Sequence, residues 1–323
     1  MKCANIKIGK IHLLEVDNEH GLRIQLSPNG ATLYAIYFHD KIMTLSPKLM
    51  SDLFKHSAYY GKTVGPICGR IKNGIITVNG QDYQLEKNEG ENTLHSATDS
   101  LCNTIFSTKV MNSKDFCSIL FTYIHKPKKG DVPGRIRYFI SYAMSTLENT
   151  LLITHRAIPE KEMILSLTNH AYFSLGEESI RSLKFKVGAS QIVEVNPVDM
   201  IPERYIPVPE CLDFRKGAPL TKDITNPYLI NSKTNGIDHY FHLDEIGSPI
   251  ILESNHVRME ITSDYEGIQV YSDNYADGIE MHGTSQTTFR GVAIEPQDSP
   301  LNRRVYTKEH PYNHSSEYRF FEK

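Results

Sequence analysis

The chain has 323 residues, 40% of them hydrophobic and 23% charged, with a formal net charge of -3. At that size a folded chain buries about three quarters of its unfolded surface, so a large core is expected. The near-neutral balance offers no basic excess for nucleic acid or anionic lipid, which excludes both as partners.

Cys3, Cys68, Cys102, Cys117 and Cys211 are odd in number and widely spaced, without a Cys-x-x-Cys pair. That argues against a disulfide framework or a zinc knuckle and for a reducing, cytoplasmic compartment. No apolar run approaches the roughly 18 residues of a membrane span, and the first residues lack the basic and apolar regions of a signal peptide. Trp is absent while Tyr is abundant at 18, so any stacking surface would use Tyr, Phe or His.

Taken in chain order, the elements are short and extended. Leu22, Ile24 and Leu26 alternate with polar residues before the Pro28-Asn29-Gly30 turn, and a return strand is expected over 31–38. A brief helix is expected within 50–60. Ile76-Thr77-Val78, Asn79-Gly80 and then 81–85 give the strongest hairpin signal, because Asn-Gly tolerates the positive φ angles of a type I′ turn. Residues 126–134 read as a Lys/Pro/Gly loop. Further strands are predicted over 136–144, 150–156, 183–187, 192–195, 250–253, 257–262, 268–271 and 291–295. The Pro-rich region 196–219 is expected to fold onto the sheets and border a site. With sustained helical periodicity and internal repeats both missing, the fold class is all-β, a large antiparallel β-sandwich forming one domain over 1–323.

The segment Met163 to Phe173 reads as a strand with Met163, Leu165 and Leu167 on one face and Ser166, Thr168 and His170 on the other. His170 thus stands in a polar row, where a histidine serves as a wet surface residue or as a rigidly mounted proton-transfer group. Glu295 closes the run Gly291-Val292-Ala293-Ile294-Glu295 before Pro296, which is expected to end the strand or make it an edge. Asp238 lies in a turn entering a strand, where carboxylates commonly cap backbone N–H groups. His239 and His242 fall on opposite strand faces, which disfavours a metal pair, and no phosphate loop, His-Glu-x-x-His or serine elbow is present. Together with Arg70 and His95 in polar loops, these residues form an inventory for acid–base work on a polyhydroxylated small molecule.

Ordered blocks along nearly the whole chain resemble the aldose 1-epimerases (galactose mutarotases). They are Thr63-Val64-Gly65, Gly69-Arg70-Ile71, Asn92-Thr93-Leu94-His95, Leu167-Thr168-Asn169-His170-Ala171-Tyr172-Phe173, Asp213-Phe214-Arg215-Lys216, Gly236-Ile237-Asp238-His239, Gln269 through Tyr275, and Ile294-Glu295-Pro296-Gln297. The resemblance implies a β-sandwich with an open polar cleft, no metal or organic cofactor, and a monosaccharide such as galactose or glucose as partner. It also implies Glu295 as the base for the anomeric hydroxyl and His170 as the acid for the ring oxygen. Arg70, His95, Asp238 and Gln269 would bind or support the sugar. A monomer or homodimer fits equally. Pro66, Gly69 and Ser96-Ala97 depart from the family's usual arginine, asparagine and Gly-Gly, which bears on hydroxyl recognition. A hexose-6-phosphate 1-epimerase is the nearest alternative, with Arg215, Lys216, Arg303 and Arg304 as candidate phosphate ligands. A non-catalytic carbohydrate-binding protein is the other.

Overall fold

The computed structural model describes residues 2–8, 11–54, 58–230, 233–275, 277–285 and 287–323. Among these residues the only α-helical segment is the single turn Pro227–Ile230. None of their helices is long and apolar enough to cross a membrane.

Hydrophobic alternation builds the sheets. In Ile136–Ser145 the side chains of Ile136, Tyr138, Ile140, Tyr142 and Met144 are fully buried, while those between them face outward. A period of two puts alternate residues on one face, and that face seeks the core. This strand pairs in full antiparallel register with Phe116–His125 and Thr150–Pro159. Among the described residues they belong to a nine-stranded sheet. Its two halves are joined by the C-terminal strand Tyr312–Glu322, which lies between Thr150–Pro159 and Val257–Ser263.

A six-stranded sheet runs in the order Tyr172–Phe173, Val292–Gln297, Gly267–Tyr271, Asp238–His242, Gln191–Val195 and Pro202–Pro207. A five-stranded meander runs from the strand Lys2–Ile8 to the strand Lys41–Ile42. All three sheets contribute to one apolar core: Ile140 and Phe121 from the first, Ile268 and Ile294 from the second, Ile24 and Leu33 from the third. The fold is the expected all-β antiparallel sandwich, and its sheets remain open. The hairpin Ile75–Val78 with Gln81–Gln84 turns through Asn79 and Gly80 at φ 50° and 79°, the angles that a type I′ turn requires.

Several local expectations are corrected. The run 163–173 is not one strand with a wet face. It breaks into Met163–Ile164, Thr168–Asn169 and Tyr172–Phe173, each pairing with a different partner, and all of it is buried. Of the two outcomes expected at Pro296, the edge is the one found: the strand continues to Gln297 paired with Gly267–Tyr271 on one side only. On its other side the ladder with Tyr172–Phe173 covers only Val292 and Ala293, so the proline lies beyond the pairing its missing N–H would disrupt. The helix expected within 50–60 is a short 3₁₀ segment, Met50–Phe54, with 55–57 outside the described residues. Within 196–219, Pro202–Pro207 is itself a strand, paired with Gln191–Val195.

Candidate active site

Three adjacent strands of the six-stranded sheet set the floor of a cleft. Val292 and Ile294 face the core, so Ala293, Glu295 and Gln297 must face the other way. Register then fixes their neighbours, because Gln269 lies opposite Glu295, Tyr240 opposite Gln269, and Tyr271 opposite both Ala293 and Asp238. Asp238, Tyr240, Gln269, Tyr271, Glu295 and Gln297 therefore share one face, and all six line a cavity of about 530 Å³.

His170 enters from the broken segment, whose backbone is tied to other elements. Its N–H donates to Lys62 O at 2.9 Å, and its carbonyl accepts from Gly61 N at 2.9 Å. Upstream, Leu167 O accepts from the Tyr265 and Tyr312 hydroxyls at 2.9 and 3.1 Å. The Asn169 amide donates to Gly61 O at 2.8 Å and to the Tyr142 hydroxyl at 3.0 Å. These bonds satisfy backbone that no continuous strand serves, and they hold the imidazole in place. Its Nε2 lies 3.4 Å from Glu295 Oε1. Tyr59 and Tyr172 pack around the ring, and the His95 ring stands edge-on to it at 5.8 Å.

The rim carries Arg70 and His95, brought together by the two-residue ladder between Arg70–Ile71 and Thr93–Leu94. Gly69 N donates to His95 Nδ1 at 3.1 Å, which assigns the proton of the neutral ring to Nε2. Arg70 donates twice to Glu89, at 2.7 and 2.9 Å, and its Nη1 lies 3.7 Å from Asp238 Oδ2. Asp238 Oδ1 accepts from Gln269 Nε2 at 2.6 Å, so this carboxylate faces the cleft and is not a backbone cap.

Burial governs the proton affinities. It lowers His170 to about 4 and pushes Glu295 well above the usual carboxylate range, with the negative charge of Asp238 adding to the latter. His95 is held neutral by burial and by its neighbours His170 and Arg70. Burial also raises Asp238, against the opposing pull of Arg70 and Gln269. For Arg70 burial disfavours the charge, but Asp238 and Glu89 outweigh it and the net shift is upward.

All six residues expected from the sequence thus line one cavity. Sequence reasoning gave no role to Glu89, which clamps Arg70, nor to Tyr59, Tyr172, Tyr271 and Asp273 in the wall. Tyr172, Tyr271 and Asp273 lay inside the resemblance blocks, which was the available signal, whereas Glu89 sits in a loop of ordinary turn composition. Asp273 also accepts from the buried Arg290 at 2.7 Å.

None of the four candidate phosphate ligands lines the cleft. Arg215 is chelated by Asp213, Arg304 pairs with Glu266, and Lys216 borders a separate depression. Arg303 donates to Arg70 O at 2.8 Å, and a Cβ on Gly69 would stand 4.0 Å from the Arg303 guanidinium, an ordinary contact. At the other departure, His95, Ser96 and Ala97 all adopt positive φ, at 52°, 65° and 51°, where glycine is the usual occupant. Ser96 Oγ compensates by bonding both N and O of buried Ile67, at 2.9 and 3.0 Å.

The sequence profile of the family described as "Aldose 1-epimerase" matches residues 12–309. A galactose mutarotase of Sus scrofa is 26% identical over 303 residues, covering 86% of this chain and 83% of that protein. An aldose 1-epimerase of Haemophilus influenzae is 25% identical, covering 89% and 86%. In fold, the chain is similar to the crystal structure of a galactose 1-epimerase from Lactobacillus acidophilus, with a TM-score of 0.87 at 22% identity over 99% of this chain and 98% of that one. With a family profile spanning most of its length, this chain belongs to the aldose 1-epimerase family.

Proposed function

We propose that the chain interconverts the α and β anomers of a free hexose, with Glu295 and His170 exchanging protons with one hemiacetal. The observation that carries this reading is the contact of a buried imidazole and a buried carboxyl, 3.4 Å apart, in a cleft otherwise lined with hydrogen-bonding groups. Such a pair has no evident use in a protein that only binds sugar.

In the ring-opening step the Glu295 carboxylate removes the proton from O1 of the sugar. The O1 electron pair forms the C1=O1 double bond, the C1–O5 bond breaks, and O5 takes a proton from the His170 imidazolium. Rotation about C1–C2 presents the other face of the aldehyde. Reclosure reverses each transfer, with Glu295 as acid and His170 as base. Between the steps the pair is a neutral imidazole and a protonated carboxyl, the form that burial of both groups favours. The pair carries one proton throughout, held by His170 before opening and by Glu295 after it.

Arg70 and the Nε2–H of His95 donate to sugar oxygens and stabilise negative charge developing at O1. Asp238 accepts from a ring hydroxyl through its Oδ2 while Gln269 holds its other oxygen. An unphosphorylated sugar is favoured because Arg70 is already engaged by two carboxylates, and the other cation in the cleft wall among the described residues, Lys233, is exposed.

Polarimetry on freshly dissolved α-galactose and α-glucose tests the proposal, with galactose 6-phosphate anomers followed by NMR exchange. Acceleration is expected with the free sugars and weaker turnover with the phosphate ester. Saturable sugar binding with no acceleration would leave a binding protein, and a preference for the ester would select the phosphohexose reading.

A further inference from the structure

Outside the cleft, three potential ligand atoms converge from three elements. Asp99 ends the short 3₁₀ turn Ala97–Asp99, His125 ends the strand Phe116–His125, and Asp131 lies in the loop that follows. One atom from each lies within 4.8 Å of the other two. His125 Nε2 is 2.7 Å from Asp99 Oδ1 and 3.7 Å from Asp131 Oδ2.

The imidazole is 97% buried, being 3% exposed, and its Nε2 has no hydrogen-bond partner despite these neighbours. The Asp99 contact has the distance of an ion pair without the alignment of a hydrogen bond. The other ring nitrogen, Nδ1, lies 3.3 Å from Gly134 O, an acceptor, so Nδ1 carries a proton. In a neutral ring Nε2 then presents its lone pair to two carboxylates. Lone pair and carboxylates repel unless a positive charge lies between them, either a proton on Nε2, which the Asp99 carboxylate favours, or a bound cation. A ring N–H bonded to a backbone carbonyl with the opposite nitrogen free is the way proteins orient a metal-binding histidine. The carboxylates are oriented as well, since Asp99 Oδ2 accepts from Val132 N at 3.1 Å and Asp131 Oδ2 from Lys128 N at 2.7 Å.

We propose that Asp99, His125 and Asp131 bind one first-row divalent cation of the Zn²⁺ type. One nitrogen and two carboxylate oxygens suit such an ion, with water completing the shell at ligand distances of about 2.0–2.2 Å. None of the three lines the cleft, so the ion would be structural. It would fasten the loop 126–134 to the turn beginning directly after His95, a turn that already contains residues at positive φ. Glu86 N joins the same loop, donating to Gly130 O at 2.9 Å.

Isothermal titration of the full chain, freed of metal by a chelator and then dialysed, provides the test. Zn²⁺ is the probe, and Co²⁺ absorption reports the coordination geometry. One Zn²⁺ per chain is expected, with affinity at least about tenfold weaker in both His125→Gln and Asp131→Asn. Zn²⁺ should also slow proteolytic cleavage within 126–134 in the wild type alone. If His125→Gln does not fold, the partly exposed Asp131→Asn serves by itself, with circular dichroism confirming its fold. No stoichiometric binding, or equal binding by folded variants, would overturn the proposal and leave only an imidazolium paired with Asp99.

Discussion

His170 and Glu295 sit in surroundings that move their proton affinities in opposite directions, and in the proposed mechanism this determines how acid and base trade roles. In water the histidine would hold the proton and the glutamate would lose it. Here burial lowers His170 to about 4 and raises Glu295 well above the usual carboxylate range, which reverses that order and places their single proton on Glu295 in the resting pair. The two groups titrate as a pair. Below about 4 His170 gains a proton while Glu295 keeps its own, and no base remains. Above the raised value of Glu295 the pair has no proton, and no acid remains. We predict that kcat/KM for anomer interconversion stays level across neutral pH, with its acid limb falling near 4. An acid limb near ~6.5, the ordinary histidine value, would contradict the burial argument.

At the scale of elements, sequence legibility followed how each segment is satisfied. Ile75–Val78 with Gln81–Gln84 was visible because two turn residues impose its geometry locally, and Ile136–Ser145 because both its faces obey one alternation. The segment 163–173 was misread as one strand because its apolar alternation is real, while its backbone bonds go to Gly61, Lys62 and tyrosine hydroxyls far away in the chain. Tyr312–Glu322 escaped notice because a buried serine, Ser316, interrupts the apolar face that Tyr312, Tyr318 and Phe320 continue.

The dependence of the 163–173 segment on one glycine can be tested. Gly61 has φ +65°, and a Cβ there would lie 1.9 Å from Leu33 O. Gly61→Ala must therefore displace backbone that also bonds His170, and a loss of more than about 3 kcal/mol is expected from urea denaturation. A loss below about 1 kcal/mol, the size of an ordinary surface change, would show that the contact relaxes freely.

For the molecule as a whole, the cleft joins residues separated by most of the chain length: Arg70 and His95, then His170, then Asp238, Gln269 and Glu295. Resemblance blocks could name these six, and strand periodicity could set Glu295 apart from Val292 and Ile294. Their convergence depends on sheet pairings between distant strands, which no local pattern contains, and the same is true of the Glu89 clamp on Arg70. The cluster of Asp99, His125 and Asp131 was equally hidden, since its members belong to a turn, a strand end and a loop.

In the proposed mechanism one imidazole and one carboxyl act as a unit on a single hemiacetal. The most direct measurement is the anomer exchange rate of a freshly dissolved hexose with Glu295→Gln, His170→Asn and the double variant, each confirmed folded by circular dichroism. Each single change should lower kcat by about 10² to 10⁴, and the double variant should be little slower than the worse single, since half a proton relay is of no use. A near-wild-type rate in either single variant, or losses that simply multiply in the double, would contradict the account.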